Sequence, residues 1–264
     1  MEENLEPSPE LSARLAADAA AAPPADRAVL AQIWRDRCRA EASVGNVFEQ
    51  LVAELASVGA PAAIIELAER AAGDEDRHAR VCAELAAAYA TEPLDLHPER
   101  RVRLADAEHP DARVRVALHV VHVCCISETI ACAFVETCLG ACDGAPALAE
   151  IHRRHLGDEI RHARVGWAYL ATLPGDALAE LAARLPEILE KQLGSWLGRI
   201  AELPEHGVAG HAYPPRSVLV DAVHGALEDM VLPGFDHVGV NTAAARAWFA
   251  AGPAESVRRK LGRT

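Results

Sequence analysis

An all-α fold is predicted for this chain, a four-helix bundle carrying additional C-terminal helices, and three observations predict it. Of the 264 residues, 51% are hydrophobic but only 4% aromatic. Alanine is abundant and is the strongest helix former, whereas strands draw on aromatic and β-branched side chains. Glycine and proline divide the sequence into segments much longer than strands, with no alternating pattern inside them. Two of these segments nearly repeat: Gly73-Asp74-Glu75-Asp76-Arg77-His78-Ala79-Arg80-Val81 and Gly157-Asp158-Glu159-Ile160-Arg161-His162-Ala163-Arg164-Val165. Each copy carries Glu-x-x-His, which sets a carboxylate and an imidazole three residues apart on one helical face.

The elements follow in order. Residues 1 to 10 are expected to be disordered, and Pro23-Pro24 followed by Asp26 starts a first long helix that runs to about Val58 and stops at Gly59-Ala60-Pro61. A second runs from about residue 62 to Ala90. Residues 91 to 110 carry prolines and charges and form a connection long enough to cross the bundle. Pro110-Asp111 opens a third helix ending near Asp143-Gly144, and a fourth runs from about Pro146 to Pro174-Gly175. A fifth helix (about 176 to 202), a Gly/Pro/His-rich loop (204 to 215), a sixth helix to about Leu232 and a short segment capped near Asn241-Thr242 complete the chain. One domain over 1–264 is expected, with the core bundle at about 27–172 and the C-terminal helices at about 176–262.

The formal net charge of −13 argues against a nucleic-acid partner and against docking on an anionic membrane, both of which call for basic patches. The seven cysteines are an odd number and include no Cys-x-x-Cys pair. Five of them (Cys124, Cys125, Cys132, Cys138, Cys142) fall on the third helix, where cysteine acts as a small apolar residue. Reduced thiols in the cytoplasm are expected. The acidic N-terminus (Glu2, Glu3, Glu6, Glu10) does not suit a secretory signal, and no uninterrupted apolar run of membrane-spanning length is expected.

Two Glu-x-x-His helices in a bundle, each matched by a glutamate from another helix, form a two-metal carboxylate site. Glu41 and Glu75 are equidistant from the Gly59-Ala60-Pro61 turn, and Glu128 and Glu159 from the Asp143-Gly144 turn. In an antiparallel hairpin such residues lie at one level. Each also interrupts an apolar stripe at helical spacing: Trp34, Cys38, Glu41, Gly45 and Phe48 on the first helix; Ala71, Glu75, His78, Cys82 and Leu85 on the second. On the third the stripe is Val121, Cys125, Glu128, Cys132 and Val135, and on the fourth Leu148, His155, Glu159, His162 and Tyr169. The rivals Glu49 and Glu136 miss the level of their partners by about two helical turns. Buried carboxylates are costly unless compensated, and divalent cations would compensate them.

The metal-ligand candidates are therefore Glu41, Glu75, His78, Glu128, Glu159 and His162, joined by His155, which lies one turn before Glu159 where the first copy has Ala71. His152, on a neighbouring face, is the alternative to His155. Asp74 and Asp158 are candidates to accept the free ring N–H of a metal-bound histidine, with Arg77 and Arg161 as their partners.

Over roughly residues 30 to 172 this pattern resembles the ferritin-like di-iron carboxylate superfamily. Within it, the added His155 resembles the di-iron arylamine N-oxygenases of the p-aminobenzoate N-oxygenase type. The resemblance implies two Fe ions, with Mn or a mixed Mn/Fe centre suited to the same donors. Glu75 and Glu159 would bridge the ions, Glu41 and His78 would serve one, and Glu128, His162 and His155 the other. It implies an oxygenase that uses O₂ to convert an amine to a hydroxylamine, nitroso or nitro product in secondary metabolism. An external electron donor and a small-molecule substrate would be its partners, with a homodimer as an open option. Substrate contacts are expected from the third helix and the C-terminal segments. The competing functions are iron oxidation, peroxidase activity or storage of the ferritin or rubrerythrin kind, a C–H hydroxylase or desaturase, and a metal-free scaffold.

Overall fold

The computed structural model describes residues 8–90 and 109–252. Among them every regular element is helical, and the only extended pairing is an isolated antiparallel bridge between Val208 and Tyr213. The expected crossing connection and the end of the C-terminal segment lie almost wholly outside these residues.

The first helix corrects the sequence-based expectation. Residues 8 to 10 are not disordered but open α1 (Pro9–Ala20), with Ser8 accepting the Leu11 N–H at 3.1 Å and Pro9 in the first turn. Leu11, Leu15 and Ala19 recur every fourth residue and are buried. The carboxylate of Asp18, also buried, accepts the N–H groups of Ala147 and Leu148 at 2.9 and 3.1 Å. It thereby caps a distant helix at the end that favours negative charge.

Helix α2 (Pro24–Ser57) and α3 (Ala62–Tyr89) form an antiparallel hairpin packed along its length. The turn between them needs the left-handed backbone that Gly59 adopts (φ 69°). Trp34, Phe48, Leu51 and Leu55 of α2 meet Ala68, Cys82 and Leu85 of α3 in the core. Gly45 keeps the two helices close beside the future site, since a Cβ there would already touch Glu75 Cβ at 3.4 Å.

The third long helix is continuous but not uniform. It begins as α4 (Ala112–Val120), capped by Asp111, passes through a π-helical stretch (Val121–Glu128) and ends as α5 (Thr129–Leu139). A π-helical stretch widens the turn by one residue and is common at functional sites. No apolar run of membrane-spanning length is uninterrupted along this helix, but its average composition is apolar. Ala112–Leu139 is long and apolar enough to cross a membrane, although 67% of its most apolar stretch is buried within the fold.

A left-handed Gly144 (φ 85°) turns the chain into α6 (Pro146–Leu170), which packs against α5, the π-helical stretch and α3. Then come α7 (Gly175–Glu202), α8 (Arg216–Ala226), a second π-helical turn (Leu227–Val231), α9 (Leu232–His237) and α10 (Ala243–Ala250). The sixth predicted helix thus extends past Leu232. Helix α7 covers α4 and the π-helical stretch, and α8 covers α5. All seven cysteines are free and buried.

Candidate metal centre

The seven candidate ligands come together from α2, α3, the π-helical stretch and α6. Glu41, His78, His155 and Glu159 form one group, and Glu75, Glu128, Glu159 and His162 another. Within each group the donor atoms lie within 4.8 Å of one another. Six of the seven residues are buried, and the Glu41 side chain is 13% exposed. The rivals Glu49 and Glu136 are both exposed, and His152 is committed elsewhere: it is fully buried, its Nδ1 is 2.9 Å from the Leu148 carbonyl and its ring meets Trp34 edge-on.

Helical spacing explains how each side chain arrives. Glu75 and His78, and Glu159 and His162, share faces three residues apart. His78 Nδ1 lies 3.4 Å from Glu75 Oε2 and 3.9 Å from Glu159 Oε1. His162 Nδ1 lies 3.0 Å from Glu75 Oε1 and 3.4 Å from Glu159 Oε2. Both carboxylates therefore stand between the two imidazoles. Phe48 packs edge-on against His162, with ring centroids 5.4 Å apart.

The opposite ring nitrogens face aspartates, and each pairing crosses from one copy of the repeat to the other. His78 Nε2 is 3.0 Å from Asp158 Oδ2, and His162 Nε2 is 3.4 Å from Asp74 Oδ2. Arg77 ties the aspartates together, at 2.6 Å from Asp74 and 3.1 Å from Asp158. Arg161 does the same, bound tightly to Asp158 and 3.9 Å from Asp74. Burial alone would raise the Asp74 carboxyl, but hydrogen bonds from His162 and Arg77 outweigh it and bring it to about 2. The aspartate behind each ring accepts a hydrogen bond from Nε2–H, which leaves Nδ1, the nitrogen facing the glutamates, as the atom that can bind a cation once deprotonated.

This chemistry fits a cation. Glu75 Oε2, His78 Nδ1, Glu159 Oε2 and His162 Nδ1 are buried without hydrogen-bond partners in the structure, although buried polar atoms are normally paired. Oxygen and imidazole donors of this kind suit iron or manganese. In the absence of a cation the carboxylates cannot all be charged. Burial and the neighbouring Glu159 push Glu128 well above the usual carboxylate range, and burial raises Glu41. Burial would lower His162, but Asp74, Glu159 and Glu75 outweigh it and hold it well above the usual imidazole range. A cation binding here must displace any protons that these raised groups hold. Binding is therefore expected to release protons and to weaken steadily as pH falls. Titration calorimetry in buffers of different ionisation enthalpy checks this; binding that is independent of pH would contradict it.

His155 falls with Glu41 and His78, not with Glu128 and His162 as the resemblance implied. Its Nε2 is 2.6 Å from Glu159 Oε1 and 3.9 Å from Glu41 Oε1, in neither case with the alignment of a hydrogen bond. There it lies against the neighbouring ring, with the His78 and His155 centroids 3.9 Å apart and the planes tilted by 37°.

A cavity of about 580 Å³ opens onto Glu41, Glu75, Glu128 and Glu159. Its other walls are mainly apolar: Ile33 and Val44 from α2, Phe134 and Val135 from α5, Trp196 and Ile200 from α7, and Tyr213 from the following loop. Arg199 stands over the Trp196 ring at 4.4 Å. The third helix and the C-terminal segments thus line it. Arg37, Arg199 and Tyr213 were missed at the level of sequence. Arg37 lies one turn before Glu41, a spacing that does flag it, but the other two come from distant elements and carry no local mark.

The chain matches no protein-family model, and no curated protein or solved structure shows significant similarity to it.

Proposed function

We propose that this protein is an O₂-dependent non-haem di-iron oxygenase of ferritin-like four-helix architecture, acting as one domain on a small molecule. The reaction in this reading is N-oxygenation of an amine to a hydroxylamine, nitroso or nitro product, with an external electron donor, in the cytoplasm. The observation that carries it is the apolar cavity that ends on the buried carboxylates. Its volume is within the range of small-molecule sites, and iron storage has no use for such walls. When bound, the ferrous pair supplies two electrons to O₂.

The side chains have separable tasks. Glu41, Glu75, His78, Glu128, Glu159 and His162 hold the ions. Asp74 and Asp158 keep the imidazoles turned donor-inward. Phe134, Trp196 and Val44 exclude water and orient an apolar body, leaving its nitrogen at the carboxylate end. Iron-loaded, reduced protein is to be exposed to O₂ with a panel of aryl and aliphatic amines, and the products read by mass spectrometry. The expected result is stoichiometric transfer of oxygen to nitrogen. Uptake of many irons per chain with no oxygenated product would favour iron handling instead.

A further inference from the structure

Two of the differences between the halves of the centre lie one turn before a ligand candidate, and these two touch. One turn before Glu159 stands His155, where the first copy has Ala71; one turn before Glu41 stands Arg37, where the third helix has Cys124 before Glu128. Arg37 Nη2 lies 3.2 Å from Glu41 Oε1 and 3.3 Å from His155 Nδ1, with its guanidinium 4.9 Å from the centre of the Trp34 ring. A guanidinium can only donate, so the His155 nitrogen that faces it accepts. In a neutral imidazole the proton then sits on Nε2, the nitrogen turned toward Glu159. His78 and His162 are oriented the other way, with aspartates behind Nε2 and Nδ1 toward the glutamates.

We propose that Arg37 is a positioning residue that sets the two metal positions apart in affinity, by engaging Glu41 and fixing His155 in the tautomer that offers no lone pair. A cation at the Glu41, His78, His155 and Glu159 position must share Glu41 with the guanidinium, whose positive charge opposes it. To gain the third imidazole it must also move the ring proton onto Nδ1, against Arg37. The Glu75, Glu128, Glu159 and His162 position has neither cost, because Cys124 is uncharged and no second imidazole is to be turned. On these two counts it is the position that fills first. The proposal rests on the two-metal reading above and not on the choice of reaction or substrate.

The test is a calorimetric titration of the metal-free full chain with Co²⁺, followed in parallel by visible absorption. Wild type is expected to bind two ions in steps separated by about tenfold or more, the scale of one or two charged hydrogen bonds. Arg37→Met is expected to strengthen the weaker step by about tenfold and leave the tighter one unchanged, and His155→Ala added to it is expected to remove most of that gain. If circular dichroism shows Arg37→Met to be unfolded, Arg37→Lys serves. One ammonium cannot hold both groups, so the weaker step should again strengthen. Two ions bound with equal affinity by wild type, or an unchanged weaker step in the folded variants, overturns the role of Arg37 alone. A wild-type chain that binds no Co²⁺ overturns the two-metal reading and this inference together.

Discussion

Glu159→Gln is expected to abolish binding at both metal positions, the largest single loss available in the site. Glu159 is the one residue common to both groups of donors, and it touches all three imidazoles. An amide of the same shape cannot supply the charge that offsets two divalent cations. In thermal melts, wild type held at a hundredfold excess of metal over Kd should gain about 2.7 kcal/mol of stability per independent site, and the variant should gain nothing. Glu136→Ala, changing an exposed residue one helix face away, should behave as wild type. If Glu159→Gln still took up two ions with undiminished affinity, the site would have been misplaced.

The second large effect concerns Gly166 in α6. A Cβ there would lie 2.5 Å from Cys125 Sγ, 2.8 Å from Cys124 Cβ and 2.9 Å from the Cys125 backbone nitrogen. Backbone cannot swing aside, so Gly166→Ala must push α6 away from the π-helical stretch that carries Glu128. A loss of about 3 kcal/mol is expected in urea unfolding, at the upper end for overpacking, together with weakened metal binding. Gly73→Ala supplies the contrast. Nothing lies within 4 Å of a Cβ at that helical position, so the change should stabilise by up to about 1 kcal/mol. Equal effects of the two substitutions would contradict the close approach of α6.

Much of this was legible before any coordinates. Pro24, Pro61 and Pro146 sit where helices begin and Gly59 where one ends, because proline suits a helix start and glycine turns left-handed cheaply. The site was legible because ligands on hairpin-paired helices must share a level, and that is a relation between residue numbers. Other features left weaker marks. Helix α1 had a usable signal, Ser8-Pro9 followed by Leu11, Leu15 and Ala19, obscured by its acidic surroundings. The membrane-length stretch escaped because scattered polar residues interrupt the run without lowering its average much. The π-helical stretch had no signature, since one extra residue per turn changes neither composition nor apolar spacing enough to register. Which of the two donor groups His155 joins was not legible either. Spacing along α6 sets its height, but its side shows only in the contact with the His78 ring.

The crossed aspartate–histidine contacts bear on how such a chain can arise. Because His78 leans on Asp158 and His162 on Asp74, two identical hairpins placed back to back would satisfy every one of these contacts. The duplicated motif is in that sense a symmetric dimer written into one polypeptide. Symmetry has a cost for chemistry, since whatever a twofold pair places beside one ion it must place beside the other. A fused chain is free of that rule. His155 opposite Ala71, and Arg37 opposite Cys124, are changes that a dimer of identical subunits could not make on one side alone.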